Sequence, residues 1–258
     1  MTMTGRTMLV LVMAVAAAGP AGAQFLAPGG TIPVVANLPG NAGTFWRSDV
    51  AITNVSETDT TVVLELYPEI AGGTPAFEKP DPVRVDIPAG HQVTLSNVVQ
   101  TRFGLQGVKG ALQVYSENGA PLVITSRTWT PGSGGSYGQG VSGVYVASQA
   151  WLGGLVQDGF YRTNLGIFWP WDQHATFTIR VHGADGTVVA ETTVGFDGAG
   201  LRQFGLDTGL GVASLPAGWA EIVCSEASLG FYAYASRVDQ ATGDAAYQPA
   251  VGRFSDVF

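Results

Sequence analysis

The chain has 258 residues, 46% of them hydrophobic and 12% charged, and its formal net charge is −8 at pH 7. The apolar content is high enough to form a core, which excludes a disordered polymer. Its few basic residues form no cluster, which argues against nucleic acid or an anionic lipid surface as partner, because phosphate binding needs grouped Lys and Arg.

The first 23 residues have the layout of a secretory signal peptide. Arg6 precedes an apolar run at residues 8–18, and the breaker Gly19-Pro20 and the small residues at 21–23 follow it. The apolar run is too short to span a bilayer core of about 30 Å. We therefore predict cleavage after Ala23, export to the periplasm, the cell surface or the medium, and no transmembrane segment in the mature chain.

Residues 24–43 contain three prolines and the turn sequences PGG and LPG. They are predicted to form an exposed leader or a first edge segment, with the apolar residues 32–35 as a candidate for one added strand. From residue 44 onward the pattern is that of β-strands: in residues 48–54, Val50 and Ile52 fall on one face, and in residues 60–67, Val62, Leu64 and Leu66 do the same. Further strands are predicted at 83–87, 91–95, 110–116 and 121–129, and a short helical turn at 96–103.

The first hairpin, FWRSDVAITNVSETDTTVVLELYP at residues 45–68, recurs as FYRTNLGIFWPWDQHATFTIRVHG at residues 160–183. Such recurrence indicates a tandem arrangement. We predict an all-β chain of two tandem immunoglobulin-like antiparallel β-sandwich domains, at residues 44–143 and 144–258, because each contains six or seven short strands separated by turns. The glycine-rich segment at 130–143, TPGSGGSYGQGVSG, is predicted to be a flexible end loop of the first unit.

Several motifs of the two halves together resemble a known kind of protein. They are WRSDVAITN, SRTWT with a trailing YGQG, YRTNLGIF, YASRVDQATGD and YQPA. Over residues 44–250 the chain is similar to tandem units of uncharacterised secreted bacterial proteins, which are generally taken as immunoglobulin-like accessory modules. The resemblance implies a sandwich fold and brings no catalytic residues with it. The Trp169-Pro170-Trp171 turn departs from the polar, Asn-containing turn of such units.

Four arginines occupy equivalent places in the two halves: Arg47 and Arg127 in the first, Arg162 and Arg237 in the second. Guanidinium groups bind carboxylates in a bidentate way, so each pair is a candidate anion clamp. The alternative is structural, with the arginines bonded to loop carbonyls or paired with a nearby aspartate, and recurrence in both halves favours it.

The segment from Phe168 to Asp172 is the strongest hint of binding in the sequence. Trp169 and Trp171 flank a proline in a predicted turn, and exposed indoles next to Asp172 could stack on sugar rings or anchor a protein partner. The alternative is that Trp169 continues the inward face of its strand while Trp171 covers the end of the sandwich. Trp46 and Trp129 are interpreted as packing residues.

Catalytic and metal-binding patterns are weak. The GGSYG sequence around Ser136 matches a nucleophile-elbow pattern but lacks the flanking strand and helix. The histidines have no ligand spacing, and residues 239–244 form only a fragment of a calcium loop. Cys224, the only cysteine, is predicted to be a buried apolar residue, and Asn54-Val55-Ser56 is a glycosylation sequon by pattern alone. We predict no catalytic residues, no metal site and no cofactor.

Together these features predict a non-catalytic, exported bacterial protein that acts as an extracytoplasmic binding, adhesion or structural module. Its end loops would contact an extracellular protein or glycan. The alternatives are a carbohydrate-binding module that uses the loop tryptophans and, less favoured, a hydrolase that uses Ser136.

Overall fold

The computed structural model describes residues 26–71, 74–132, 134–226 and 228–252, and within them the chain is mostly β-strand with almost no helix. The predicted signal peptide lies outside the described residues. A six-residue helix, α1 (Val98–Phe103), confirms the predicted helical turn. In the described part of the chain, no helix has the length and apolar character needed to cross a membrane.

The strands of the first half are β1 (Gly29–Pro39), β2 (Phe45–Asn54), β3 (Thr60–Pro68), β4 (Ile70–Ala71), β5 (Thr74–Pro75), β6 (Val83–Ile87), β7 (Gln92–Leu95), β8 (Val108–Ser116), β9 (Leu122–Gly132) and β10 (Gly135–Gly140). Those of the second half are β11 (Tyr145–Val146), β12 (Gln149–Gln157), β13 (Tyr161–Trp169), β14 (Ala175–Gly183), β15 (Val188–Phe196), β16 (Gly200–Gly205), β17 (Leu215–Cys224), β18 (Phe231–Asp239), β19 (Ala245–Pro249) and β20 (Val251–Gly252). A 3-10 turn (Asn41–Gly43) precedes β2.

The same strand pairings occur in both halves. In the first half, one layer has the order β6-β3-β8-β1 and the other has β7, β2, β9 and β10 as neighbours. In the second half, the corresponding layers are β15-β14-β17-β12 and β16-β13-β18-β19. All of these pairings are antiparallel. In the first half a short β1–β2 pairing joins the two layers into a single sheet.

Strand β1 is a central strand of its sheet, between β2 and β8. Its residues from Thr31 to Asn37 are buried on both faces. Pro33 donates no ladder hydrogen bond, and it lies at a register shift between Ile32 and Val35, where a proline is tolerated. The candidate strand at residues 32–35 thus lies within β1, and β1 is a central strand rather than an exposed leader or an edge segment. Among the described residues, the strands of the first half begin at Gly29.

The glycine-rich segment after residue 129 forms a hairpin. Strand β9 continues to Gly132 and pairs with β10, and Tyr137 lies opposite Thr130. A side chain at Gly138 would collide with Trp129, which explains one of the glycines by close packing. The prediction of a flexible loop for this segment is replaced by an ordered pair of strands.

The strand order matches that of an immunoglobulin domain in part. The pairs β2–β7 and β3–β8 match the pairs B–E and C–F of that fold. However, β1 pairs along most of its length with β8 and only at its end with β2, and β9 lies beside β2, whereas in the immunoglobulin order the first strand is beside B and the last beside F. In addition, β6 pairs with β3, whereas strand D of the immunoglobulin order lies beside E. The outer strands are thus exchanged relative to that order.

The two halves pack together through sheet faces. Phe168, Leu201 and Tyr234 of the second half belong to the same buried apolar cluster as Val34 and Tyr67 of the first. The rings of Tyr67 and Phe168 lie 5.3 Å apart. In β13, Gly166 and Phe168 stand on the face opposite to the inward-facing Leu165 and Ile167, so this second face is covered by the other half rather than by water.

Candidate functional site

Trp169 is fully buried in the core of the second half, with 0% of its surface exposed. Its ring packs edge-on against Phe177 at 5.7 Å, and its indole N–H donates to the carbonyl of Gln173 at 2.8 Å. This placement corresponds to the packing alternative, since a buried ring offers no surface to a ligand. Trp169 is therefore withdrawn as a binding residue.

Trp171 and Asp172 lie at the tip of the β13–β14 turn. The Trp171 ring is half-buried against the same core, and its N–H donates to the carbonyl of Gly230 at 2.8 Å. Asp172 is exposed. The turn thus exposes the Asp172 carboxylate and part of the Trp171 ring. Because the indole N–H of Trp171 already donates to Gly230, the carboxylate is the hydrogen-bonding side-chain group that these two residues can offer a ligand.

Arg47 and Arg127 lie on the outer face of β2 and β9, around Trp129. The Arg47 guanidinium lies 5.1 Å from the Trp129 ring, and Arg127 donates to the carbonyl of Ser136 at 3.3 Å and to its hydroxyl at 2.8 Å. Asp49 accepts a hydrogen bond from the Trp129 indole at 2.7 Å. These contacts fit the structural alternative for both arginines.

The second pair of arginines separates into two environments. Arg237 lies with its guanidinium 5.3 Å from the Tyr161 ring, as a packing contact. Arg162 is half-buried and lines a cleft between the two halves. Burial lowers the pKa of Arg162, and the nearby Asp207 opposes the shift. Of the four candidate arginines, Arg162 is the one whose surroundings form a concave site.

The seam cleft, as we name it, lies between β1 on one side and β13 and β18 on the other and has a volume of about 200 Å³. Apolar residues of β1 form one wall. The residues with polar side-chain atoms that line it are Asn41, Trp46, Lys109, Thr128, Gln139, Arg162, Asn164, Gln203, Tyr234 and Ser236. The Trp46 indole packs over Gly40, where an added Cβ would lie 2.5 Å from the indole nitrogen, so only glycine permits this position.

The hydroxyl of Tyr234 is the most unusual polar group of the seam cleft. The side chain has 0% of its surface exposed, and the hydroxyl has no hydrogen-bond partner among the described residues. Burial raises its pKa well above the ordinary value, with Tyr247 and Glu69 adding to the shift, so the group is neutral and able to donate. An unpaired buried hydroxyl costs free energy, and with 0% of its side chain exposed Tyr234 forms part of the wall of the cleft rather than a surface open to a ligand.

Other polar groups of the cleft are available to a ligand. Asn164 and Gln203 are half-buried and make no side-chain hydrogen bond within the described part of the chain. Lys109 is neutralised by Glu69 at 3.1 Å. Gln139, by contrast, is held by reciprocal hydrogen bonds with Ser236. The cleft therefore offers a ligand the guanidinium of Arg162, the amides of Asn164 and Gln203 and the indole of Trp46, a set suited to an oxygen-rich ligand.

The remaining candidates have local roles. Ser136 lies in β10 rather than on a strand-to-helix turn, and its hydroxyl accepts from Arg127. The Asp239 carboxylate accepts from the main-chain N–H groups of Ala241 and Thr242, which is the geometry of a turn. No group of three or more His, Cys, Asp or Glu side chains that could hold a metal ion occurs in the part of the chain that the structure describes.

Two further residues are buried. Cys224 is a free, buried thiol whose pKa is raised by burial. Asn54, of the glycosylation sequon, is fully buried, and its amide donates to the carbonyls of Thr58, Ile87 and Pro88. Its role is to close the β2–β3 turn.

Sequence reasoning identified Arg162 but missed Trp46, Gln203 and Tyr234. The signal that could have revealed them is on β13, where the outward positions change from polar, at Arg162 and Asn164, to Gly166 and Phe168. Such a change indicates an outer face that is covered at one end and open at the other.

No protein-family model and no curated protein matches the chain. Among solved structures, a lectin from Pleurotus ostreatus in its apo form is 11% identical with a TM-score of 0.21, over 90% of this chain and 82% of the lectin. A glycosyl hydrolase family 2 member from Bacteroides cellulosilyticus is 9% identical with a TM-score of 0.19, over 85% of this chain and 26% of the enzyme. A β-glucuronidase from Ruminococcus gnavus in complex with D-glucaro 1,5-lactone is 11% identical with a TM-score of 0.14, over 83% of this chain and 36% of the enzyme. The chain thus spans well under half the length of either enzyme, and likenesses at these scores carry no argument.

Proposed function

We propose that the chain is an exported, non-catalytic binding module, built from two tandem immunoglobulin-like sandwiches, that binds a glycan in the seam cleft. The observation that carries the proposal is the group of half-buried polar side chains that line the cleft without a side-chain hydrogen bond to the described residues, those of Arg162, Asn164 and Gln203. Hydroxyl-rich ligands satisfy such groups, because each sugar hydroxyl both donates and accepts hydrogen bonds.

The size of the cleft supports a small ligand group. Its volume of about 200 Å³ is below the range of about 300–1,000 Å³ typical of sites for drug-sized ligands. A single sugar ring at the end of a glycan is therefore a better match than an extended chain. The proposal replaces the end-loop tryptophans of the sequence-based prediction by a site between the halves.

A stability measurement first compares Tyr234→Phe with Tyr247→Phe. The Tyr247 hydroxyl donates to the carbonyl of Ser142 at 2.6 Å, whereas the Tyr234 hydroxyl has no partner. In urea unfolding we expect Tyr234→Phe to raise the free energy of unfolding by about 1 kcal/mol and Tyr247→Phe to lower it by a similar amount.

The binding measurement uses an array of neutral and acidic glycans and the mature chain. We expect Gln203→Leu to weaken glycan binding about 2- to 10-fold, because hydrogen bonds made only with the ligand are lost. Tyr234→Phe should leave binding unchanged, since the Tyr234 side chain has 0% of its surface exposed. If the wild-type chain binds no glycan, or if Gln203→Leu binds as tightly as the wild type, the proposal is contradicted.

A further inference from the structure

The charge distribution within the seam cleft is opposite in sign to that of the whole chain. The chain has a formal net charge of −8, yet the residues that line the cleft include Lys109 and Arg162 and no Asp or Glu. Lys109 is already paired with Glu69. The positive charge that remains in the cleft is that of Arg162.

Arg162 has no ion pair or side-chain hydrogen bond with the described residues, and Asp207 acts on it only at longer range. A guanidinium group that is half-buried loses part of its hydration, and a bound anion restores what it has lost. Its planar fork of N–H groups matches a carboxylate in a bidentate way, and such charge-assisted hydrogen bonds are about twice as strong as neutral ones.

The surroundings of Arg162 favour a sugar over a peptide as the carrier of that anion. A peptide that binds to a sheet adds to a free strand edge. The three strands that form most of the cleft have neighbours on both sides: β1 lies between β2 and β8, β13 between β16 and β18, and β18 between β13 and β19. The outer strands β10, β16 and β19 each contribute one lining residue, Gln139, Gln203 and Ala245. A ligand in the cleft would therefore bond to side chains rather than to a strand edge. The side-chain amides of Asn164 and Gln203 both donate and accept hydrogen bonds, as sugar hydroxyls do.

We propose that the glycan bound in the seam cleft is acidic, and that Arg162 binds the carboxylate of its terminal sugar. This inference rests on the proposed function and names the ligand class of the same site. Arg162 is a specificity-determining residue that contacts the ligand directly, while Asn164 and Gln203 bind the ring hydroxyls next to the carboxylate.

The experiment uses an array of glycans that end in galacturonate, glucuronate or sialate, each beside its methyl ester, together with neutral glycans. The ester keeps the shape of the sugar and removes the charge. We expect the mature chain to bind at least one acid about 10- to 100-fold more tightly than its ester, the range for a charged hydrogen bond. Raising the salt concentration should weaken binding of the acid and leave binding of the ester unchanged.

Two variants complete the test. Arg162→Gln keeps a hydrogen-bond donor without the charge, and we expect it to bind acid and ester alike. Arg84→Gln makes the same charge change on the exposed strand β6, where Arg84 pairs with Glu117, and should retain the wild-type preference.

The outcomes separate the two proposals. Equal binding of acid and ester by the wild-type chain, binding of neutral glycans alone, or an acid preference that survives in Arg162→Gln would overturn the acidic-ligand inference and leave the glycan-binding proposal standing. Capture of acidic peptides without any glycan would overturn both.

Discussion

Glu65 accepts three hydrogen bonds where β3 meets the second half of the molecule. Its carboxylate accepts from the Tyr67 hydroxyl at 3.0 Å, from Lys79 at 2.8 Å and from the Tyr115 hydroxyl at 2.8 Å. Lys79 also lies 3.9 Å from the centre of the Tyr67 ring. Because Tyr67 packs against Phe168, the cluster ties a charged group to the contact between the halves. The contact between the two halves, which we call the seam, thus has beside it a hydrogen-bonded group centred on the Glu65 carboxylate, the Glu65 cluster, in addition to the seam cleft.

The Glu65 cluster makes stability depend on pH. Burial alone would raise the pKa of Glu65, but the hydrogen bonds from Lys79, Tyr115 and Tyr67 outweigh it and hold the pKa below its ordinary value. A carboxyl group with a lowered folded-state pKa stabilises the protein above its unfolded-state pKa and loses that contribution as the pH falls through the folded-state pKa.

We expect wild-type protein to lose more stability than Glu65→Gln between about pH 7 and about pH 3, because the variant has no proton to gain there. Urea unfolding of both proteins at the two pH values measures the difference. Parallel losses in the two proteins would show that Glu65 contributes nothing to the pH dependence.

At the scale of the element, the two faces of β13 pack against different parts of the molecule. Leu165 and Ile167 face the core of the second half, while Gly166 faces the seam and lies under the ring of Tyr234. An added Cβ at Gly166 would lie 2.1 Å from the Tyr234 ring. The glycine therefore sets how deeply Tyr234 enters the seam and where its hydroxyl stands in the cleft.

Gly166→Ala should lower the free energy of unfolding by about 1–3 kcal/mol, the usual cost of overpacking. Gly153→Ala is the matched control, since Gly153 is also in a strand but has no atom within 4 Å of an added Cβ. We expect the control to change stability by no more than about 0.5 kcal/mol. If chemical denaturation gives the same result for both variants, Gly166 does not set the packing of Tyr234.

Local patterns in the sequence predicted most strands and both copies of the hairpin, because alternation is a property of each strand by itself. Of β1 they indicated only the strand at residues 32–35, because burial on both faces removes alternation and Pro33 is tolerated only at the bulge. Nor did they give the exchanged positions of β1 and β9, since the choice of neighbour depends on the whole sandwich. Tyr234 was missed for the same reason: its importance arises only where two sheets meet.

For the molecule as a whole, the central feature is the contact between the two halves. The sheets of the two halves share a buried cluster at Phe168, Leu201 and Tyr234, and the same contact leaves a polar cleft around Arg162. Packing and the candidate site are therefore two parts of one interface. A ligand that binds in the cleft contacts both halves, so binding should stabilise their association.

The most direct measurement is a titration of the 15N-labelled mature chain with the glycan that binds most tightly in the array, followed by backbone amide chemical shifts. We predict the largest changes around Gly40 and Trp46 on one side of the seam cleft and around Arg162, Asn164 and Gln203 on the other. Changes confined to the turn at Trp171 and Asp172, with none at the seam, would contradict the account.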